Sequence, residues 1–170
     1  MKENIKQISV TVEYLDNVIE RFVRYIGVVL EIYQVCEHSS ADDSKKYSVD
    51  DEITEKLVYL KKGLGEQRRK NYGFIHRICI LPENICSCDA GVHELEYAVT
   101  GLLEYALMGQ ELAGSAISLL GNIEHGVKKN LPDGEKIFKE MYENAMDYEN
   151  INVRLIRYCE KALEDLAEMH

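Results

Sequence analysis

Apolar residues return at every third or fourth position along most of the chain, with polar residues between them. The apolar line is unbroken from Ile5 to Cys36 and from Val92 to Ile123, and Asn152 is its one polar member between Phe138 and Met169. This spacing is typical of helices that bury one stripe along their length. The pattern therefore predicts three long amphipathic helices.

A further segment, from Ile53 to Ile78, follows the same spacing less strictly. Gln67 and Asn71 take two of its buried positions, and three glycines lie inside it: Gly63, Gly65 and Gly73. A glycine within a helix costs about 1 kcal/mol relative to alanine. We therefore expect this helix, the second along the chain, to be kinked or broken near Gly63–Gly65.

Short polar segments at 38–47, 82–89 and 130–134 separate the four periodic segments. Long helices joined by short connections pack most simply as neighbours that run in opposite directions. The sequence thus predicts an all-α protein, an antiparallel up-down-up-down four-helix bundle, in which residues 1–170 form a single helical-bundle domain.

Composition narrows the range of partners and locations. The net charge of −10 disfavours binding to nucleic acid or to an anionic membrane, although a basic partner protein fits it well. The N-terminal residues show no secretory-signal pattern, and charged residues interrupt every long apolar stretch, so we expect a soluble protein. Five cysteines without a disulfide-type spacing favour a reducing, cytoplasmic setting.

Charge is unevenly distributed along the sequence. No lysine or arginine occurs between Ile78 and Val127, whereas the segment from Ile53 to Arg77 is strongly basic. Helices 2 and 3 are therefore expected to have complementary charges where they meet. On a heptad frame Lys62, Arg69 and His76 fall on the outermost line of helix 2, which predicts an exposed basic stripe or an ordinary solvated face.

Helix 3 is apolar on nearly every side and rich in glycine and alanine. One interpretation is that it is the most buried helix; the other is that its outer side forms a patch for a second chain, as in a homodimer. The residues predicted to bind a partner protein are Tyr97, Glu104, Leu107, Met108 and Glu111 on helix 3, with Lys62 and Arg69 on helix 2.

Arg69 and His76 are separated by six residues, a spacing that resembles the R-x4-6-H motif of HEPN ribonucleases. The resemblance covers these eight residues and implies metal-independent RNA cleavage across a dimer, with Arg69 and His76 as the catalytic pair. On a continuous helix the two residues lie about 10 Å apart along the axis. A break at Gly73 would be needed for both to act on one phosphate.

Two other kinds of chemistry are open. Cys79, Cys86, Cys88 and His93 offer thiolates and an imidazole, the ligands of tetrahedral zinc, although their spacing is not that of a zinc knuckle. The run from Ile123 to Lys129, which contains His125, resembles the H-x-L-K-G segment of histidine phosphotransfer domains. That resemblance implies a four-helix bundle with His125 as an exposed phosphate carrier.

No nucleophile, base and orienting group can be placed together from the sequence, so catalysis is not the expectation here. An acidic single-domain bundle suits a non-enzymatic interaction protein, such as an inhibitor, an immunity protein or an adaptor, that binds through a helical face and needs no cofactor. The alternatives are the HEPN-like ribonuclease and a zinc-stabilised or phosphotransfer-type bundle.

Overall fold

The computed structural model describes residues 1–39, 47–81 and 89–169, and their side chains except those of 34–39 and 47–50. Four long helices account for nearly all of these residues. They are α1 (Lys2–Ser39), α2 (Tyr47–Cys79), α3 (Asp89–Asn130) and α4 (Gly134–Ala167). The all-α four-helix bundle predicted from the apolar spacing is confirmed.

The four helices stand at the corners of a square, and each packs against the helices before and after it, with α4 closing against α1. In the hydrogen bonds between these neighbouring helices, residue numbers rise along one helix as they fall along the other. Gln67 bonds to Tyr105 and Arg77 to Glu94 between α2 and α3, while Asn4 bonds to Asp165 and Tyr25 to Glu140 between α1 and α4. These pairs follow the order that the up-down-up-down prediction expects.

The core lies where the apolar lines of the four helices converge. Phe22 of α1 and Tyr148 of α4 are fully buried and meet edge to face, with ring centroids 6.2 Å apart. Leu57, Leu64 and Leu102 fill the adjoining space without exposure to solvent. Burial of these side chains, each contributing about 1.5–3 kcal/mol, favours this arrangement over isolated helices.

The glycines of α2 do not interrupt it, so the break expected at Gly63–Gly65 is wrong: the helix is continuous from Tyr47 to Cys79. At Gly63 a Cβ atom would lie 2.8 Å from Cδ1 of Leu112 on α3. A Cβ atom at Gly101 of α3 would overlap the ring of Phe74 on α2. These two glycines therefore let α2 and α3 approach closely, and packing between the helices offsets the low helix propensity of glycine.

A tight turn joins α3 to α4. Asp133 adopts the left-handed conformation with a φ angle of 58°. A Cβ atom on the next residue, Gly134, would clash with the backbone of Val127 and Lys128. Aspartate tolerates the left-handed region better than most residues, and glycine leaves room for α4 to turn back against α3.

Candidate functional site

An exposed line of side chains follows the outer side of α2. Its members return every three or four residues, as on one face of a helix, and we call them the α2 outer line: Val58, Lys62, Gly65, Arg69, Tyr72 and His76. Tyr59, beside Val58, is also exposed, at 70%. The sequence prediction that Lys62, Arg69 and His76 point outwards agrees with this placement.

A second exposed line follows the outer side of α3. We call it the α3 outer line, and its members are Tyr97, Glu104, Leu107, Glu111, Gly114, Ser118 and Gly121. Because α2 and α3 are neighbours, the two lines run side by side on one face of the bundle. We refer to that face as the outer face of α2 and α3.

Some basic residues of α2 pair with neighbouring helices, and others do not. Arg68 donates two hydrogen bonds to the carboxylate of Asp16 on α1, at 2.6 and 3.1 Å, and Arg77 donates one to Glu94 on α3, at 2.6 Å. These two arginines link α2 to its neighbours. Lys62 and Arg69, in contrast, form no ion pair with any acidic residue that the structure describes.

The carboxylates of Glu104 and Glu111 on the α3 outer line are likewise without an ion pair in the described part of the chain. The two outer lines thus carry Lys62 and Arg69 on one side, and Glu104 and Glu111 on the other, without an ion pair among the described residues. Such groups stay hydrated in the free protein and are available to a partner of opposite charge.

Four glycines on or beside the two outer lines have no structural need within the chain. Nothing lies within 4 Å of a Cβ atom built on any of them: Gly65, Gly73, Gly114 and Gly121. Each lowers helix stability by about 1 kcal/mol relative to alanine. Gly63 and Gly101, in contrast, are required for the close packing of α2 against α3. An exposed glycine on a helix lets another backbone approach closely.

The predicted contact residues of helix 3 differ in how far they reach solvent. Leu107 is 45% exposed and Tyr97 58% exposed. Tyr97 leans towards α2, where the guanidinium of Arg77 lies 5.3 Å from the centre of its ring. Met108, in contrast, is only partly exposed and packs against the core, so it offers less surface than the sequence suggested.

Tyr105 links α3 to α2 beside the two outer lines. Its hydroxyl donates a hydrogen bond to Glu66 of α2 at 3.3 Å, and its backbone carbonyl accepts one from Gln67 at 3.0 Å. Loss of solvent and the nearby charge of Glu66 raise the pKa of Tyr105, so it stays a neutral donor at physiological pH. The contact holds α2 and α3 at a fixed level relative to each other.

Buried polar side chains form a second feature, at the centre of the bundle. Gln67 of α2 donates a hydrogen bond to Asn152 of α4 at 2.8 Å and accepts one from the hydroxyl of Tyr148. Asn152 donates in turn to the backbone oxygen of Tyr148 at 2.8 Å. Gly109 of α3 packs against this group, which we call the buried amide layer. The sequence shows polar residues at positions 67 and 152, but it does not indicate that their side chains contact each other.

A groove between α1 and α2 escaped sequence reasoning altogether. It has a volume of about 420 Å³, and its lining is mainly apolar: Val10, Val12, Ile19, Tyr72 and Ile75. Arg68 and Asp16 form part of its wall. Asn71 also lines it; only 3% of this residue is exposed, and its amide oxygen has no hydrogen-bond partner. The signal in the sequence was a polar residue on the apolar line of α2.

The geometry does not bring the suggested ribonuclease pair together. Because α2 is continuous through Gly73, Arg69 and His76 lie two turns apart, about 10 Å along the axis. The ring of His76 is instead stacked on Tyr72, with centroids 6.5 Å apart and planes within 7°. Within one chain the two residues therefore cannot readily act on one phosphate.

Only two of the four suggested zinc ligands are among the residues that the structure describes. Cys86 and Cys88 lie outside the described residues, while Cys79 and His93 are both exposed. Nδ1 of His93 lies 3.7 Å from a carboxylate oxygen of Glu96. Among the described residues, no group of three or more histidine, cysteine or acidic side chains lies close enough together to hold a metal ion.

His125, the candidate phosphate carrier, is exposed near the C-terminal end of α3. It shares a shallow depression with Lys128 and Glu135. Lys128 donates a hydrogen bond to Glu124 at 2.6 Å, so its charge is already paired. Lys129, which also lines the depression, is exposed and has no ion pair among the described residues. The surroundings of His125 thus offer exposure and one unpaired cation, but also the carboxylates of Glu124 and Glu135.

No protein-family model matches this chain. A search of curated proteins likewise finds no match. Among the described residues, no helix combines the length and the apolar character that crossing a membrane requires.

Proposed function

We propose that this chain is a non-enzymatic interaction protein, of the inhibitor, immunity-protein or adaptor type, that binds a partner protein through the outer face of α2 and α3. One observation carries the proposal. Unpaired charges, exposed apolar side chains and three glycines without an internal role, Gly65, Gly114 and Gly121, lie on the same two outer lines. A surface that only faces water has no need of this combination.

The physical character of the face fits a helical partner. Its apolar members, Leu107, Val58 and Tyr97, supply the aromatic and aliphatic contacts that dominate binding energy. Arg69 and Lys62 supply the charge that sets orientation and the rate of encounter. The exposed glycines allow a partner helix to pack at short distance.

The proposal is tested by comparing what the wild-type protein and its surface variants retain from extracts of the source cell. Leu107→Glu and Arg69→Glu should lose a bound protein that the wild type captures, while circular dichroism remains helical. Tyr142→Glu and Arg154→Glu on α4 are matched controls, because Tyr142 is 43% exposed against 45% for Leu107. Equal capture by all four variants and the wild type would overturn the proposal.

A second candidate function is the binding of a small, mainly apolar molecule in the groove between α1 and α2. The observation that favours it is the buried, unpartnered amide oxygen of Asn71, which can accept a hydrogen bond from a ligand N–H. A groove of about 420 Å³ is within the usual size of small-molecule sites. Arg68 and Asp16 pair with each other in its wall, and Glu13, which also lines it, has no ion pair among the described residues, so an anionic ligand is disfavoured.

Benzamide, a neutral aromatic amide, is a suitable probe. It should shift the NMR resonances of Val10, Ile75 and Asn71, and Asn71→Leu should abolish those shifts. The variant Asn150→Leu, on the exposed side of α4, is the control and should leave them unchanged. Shifts that are absent, or that survive Asn71→Leu, would contradict this candidate.

A further inference from the structure

We propose that the partner at the outer face of α2 and α3 is a second copy of this chain. The two copies would be related by a twofold axis parallel to the helices, with α2 of each copy packed against α3 of the other. This inference rests on the proposed function, because it identifies the partner at the same surface. Three observations support it: the complementary charges of the two outer lines, the matching heights of these charged residues along the bundle axis, and the exposed glycines.

The charges of the two outer lines are complementary to each other. Lys62 and Arg69 on α2 have no ion pair among the described residues, and the same holds for Glu104 and Glu111 on α3. Within one chain no ion pair joins these two basic residues to these two acidic ones. A second copy turned by 180° brings the basic line of one chain opposite the acidic line of the other.

The levels of these residues along the bundle also match. Gly63 is level with Leu112, and Phe74 is level with Gly101, as their close contacts show. At about 1.5 Å of rise per residue, Lys62 therefore lies within one turn of the level of Glu111, and Arg69 within one turn of Glu104. Lysine, arginine and glutamate side chains are long enough to span that difference.

A twofold axis parallel to the helices preserves these levels. Rotation about such an axis moves α2 to the position opposite α3 and leaves the height of every residue unchanged. Lys62 of each copy therefore faces Glu111 of the other, and Arg69 faces Glu104, with no sliding of one copy along the other. Each pairing occurs twice, as in any interface with twofold symmetry.

The shapes of the two outer lines are also complementary when residues at the same height are compared. Leu107 lies within one turn of the level of Gly65, where the α2 outer line lacks a side chain. Val58, 44% exposed, lies near the level of Ser118, in the small-residue part of the α3 outer line. Projecting side chains on one line thus meet small residues on the other, which the bundle alone does not explain.

The net charge of −10 on each copy opposes the association. Local attraction between the outer lines and the apolar contacts must offset this repulsion. At physiological ionic strength the screening length is about 8 Å, so distant charges are weakened more than pairs in contact. The test is therefore made at that ionic strength.

The mass of the full chain in solution, measured by light scattering and sedimentation equilibrium, tests the proposal. The wild type should be a dimer at high micromolar concentration. Lys62→Glu with Arg69→Glu makes both outer lines acidic, and Glu104→Lys with Glu111→Lys makes both basic. Each double variant should be a monomer with an unchanged helical signal.

Mixing these two monomers gives the decisive result. In a mixed dimer each acidic line meets a basic line, so equimolar mixing should restore the dimer mass. Lys136→Glu with Lys139→Glu on α4 changes the net charge as much as the first double variant, and should remain a dimer. A monomeric wild type, dimeric double variants, or a mixture that stays monomeric would each overturn the proposal.

The outcomes also separate this inference from the proposed function. A wild-type monomer that captures a cellular protein, and loses it on Leu107→Glu, overturns the second copy as partner but keeps the outer face as a binding surface. A wild-type dimer that none of the four charge changes affects, with capture equal in every variant, overturns both.

Discussion

Gln67 of α2 and Asn152 of α4 form a hydrogen bond 2.8 Å long across the centre of the bundle. Their helices stand at opposite corners of the square and make no close backbone contact. The hydrogen-bonded link between these diagonal helices therefore depends on three fully buried side chains, those of Gln67, Asn152 and Tyr148. Tyr148 completes the group by donating its hydroxyl to Gln67.

Replacing Gln67 alone should be strongly destabilising. Gln67→Leu leaves the amide of Asn152 and the hydroxyl of Tyr148 buried without their partner, and we expect a loss of about 2–4 kcal/mol in the free energy of unfolding. Urea denaturation measures this loss. The triple variant Gln67→Leu, Tyr148→Phe and Asn152→Leu removes the unpaired groups together and should lose less than the three single variants combined. A loss equal to that sum would contradict a coupled network.

Glycine-to-alanine substitutions should have opposite effects on the free energy of unfolding at Gly109, where a Cβ atom would clash, and at Gly27, where it has free space. A Cβ atom at Gly109 would lie 2.7 Å from Nε2 of Gln67 and closer still to Asn152. Gly109→Ala should therefore lower the free energy of unfolding by about 1–3 kcal/mol. At Gly27 of α1 nothing lies within 4 Å, so Gly27→Ala should raise it by about 0.5–1 kcal/mol. Thermal unfolding of both variants checks the contrast.

Asn71→Leu should stabilise the free protein. The amide oxygen of Asn71 is buried and unpartnered, so the substitution removes a desolvated polar group and adds apolar contact with Val12 and Ile75. We expect a gain of about 1–2 kcal/mol. The same change at Asn152, which is fully hydrogen-bonded, should destabilise. A destabilising Asn71→Leu would mean that this amide has a partner in solution.

Stability should decline at alkaline pH because of Cys159. Burial, and to a smaller extent the charge of Glu160, raises the pKa of its thiol from an ordinary value of 9.0 to about 12. Below pH 9 the thiol is protonated in both states, and above it the unfolded chain loses the proton first. The free energy of unfolding therefore falls as the pH rises from 9 towards 12, by at most about 1.4 kcal/mol per unit from this thiol.

Denaturation at several pH values measures that slope. Cys159→Ala should flatten it, while Cys79→Ala, which removes an exposed thiol, should keep the wild-type slope. Part of the slope should remain in Cys159→Ala, because burial also raises the pKa of Tyr148. Equal slopes in all three proteins would show that Cys159 is not buried as described.

The apolar spacing predicted the helices and the core because each position on a regular helix has a fixed direction. Ile8, Leu102 and Leu155 all lie where the spacing places them, without exposure. The glycines of α2 misled the prediction, because propensity is local and the closeness of Leu112 to Gly63 depends on another helix. Tertiary packing decided the outcome.

The candidate sites were predictable only in part. The outward position of Lys62 and Arg69 follows from helix geometry, but their lack of ion pairs depends on what neighbouring helices present. Gln67 and Asn152 were visible as polar interruptions on two separate lines. Whether they face each other depends on how far α2 is shifted along the bundle relative to α4. The spacing of residues along a single helix gives no information on that shift. The groove beside Asn71 was invisible for the same reason.

The continuity of α2 has a consequence for how the bundle opens. This helix contains three glycines in its middle, two of which gain no internal contact, and it also borders the groove beside Asn71. Local unfolding begins where packing is weakest, so α2 should detach before the other helices in native-state hydrogen exchange. Because α2 also carries one of the two outer lines, a partner bound there would clamp the helix in place. Partner concentration would then set the rate at which the amides of α2 exchange with solvent.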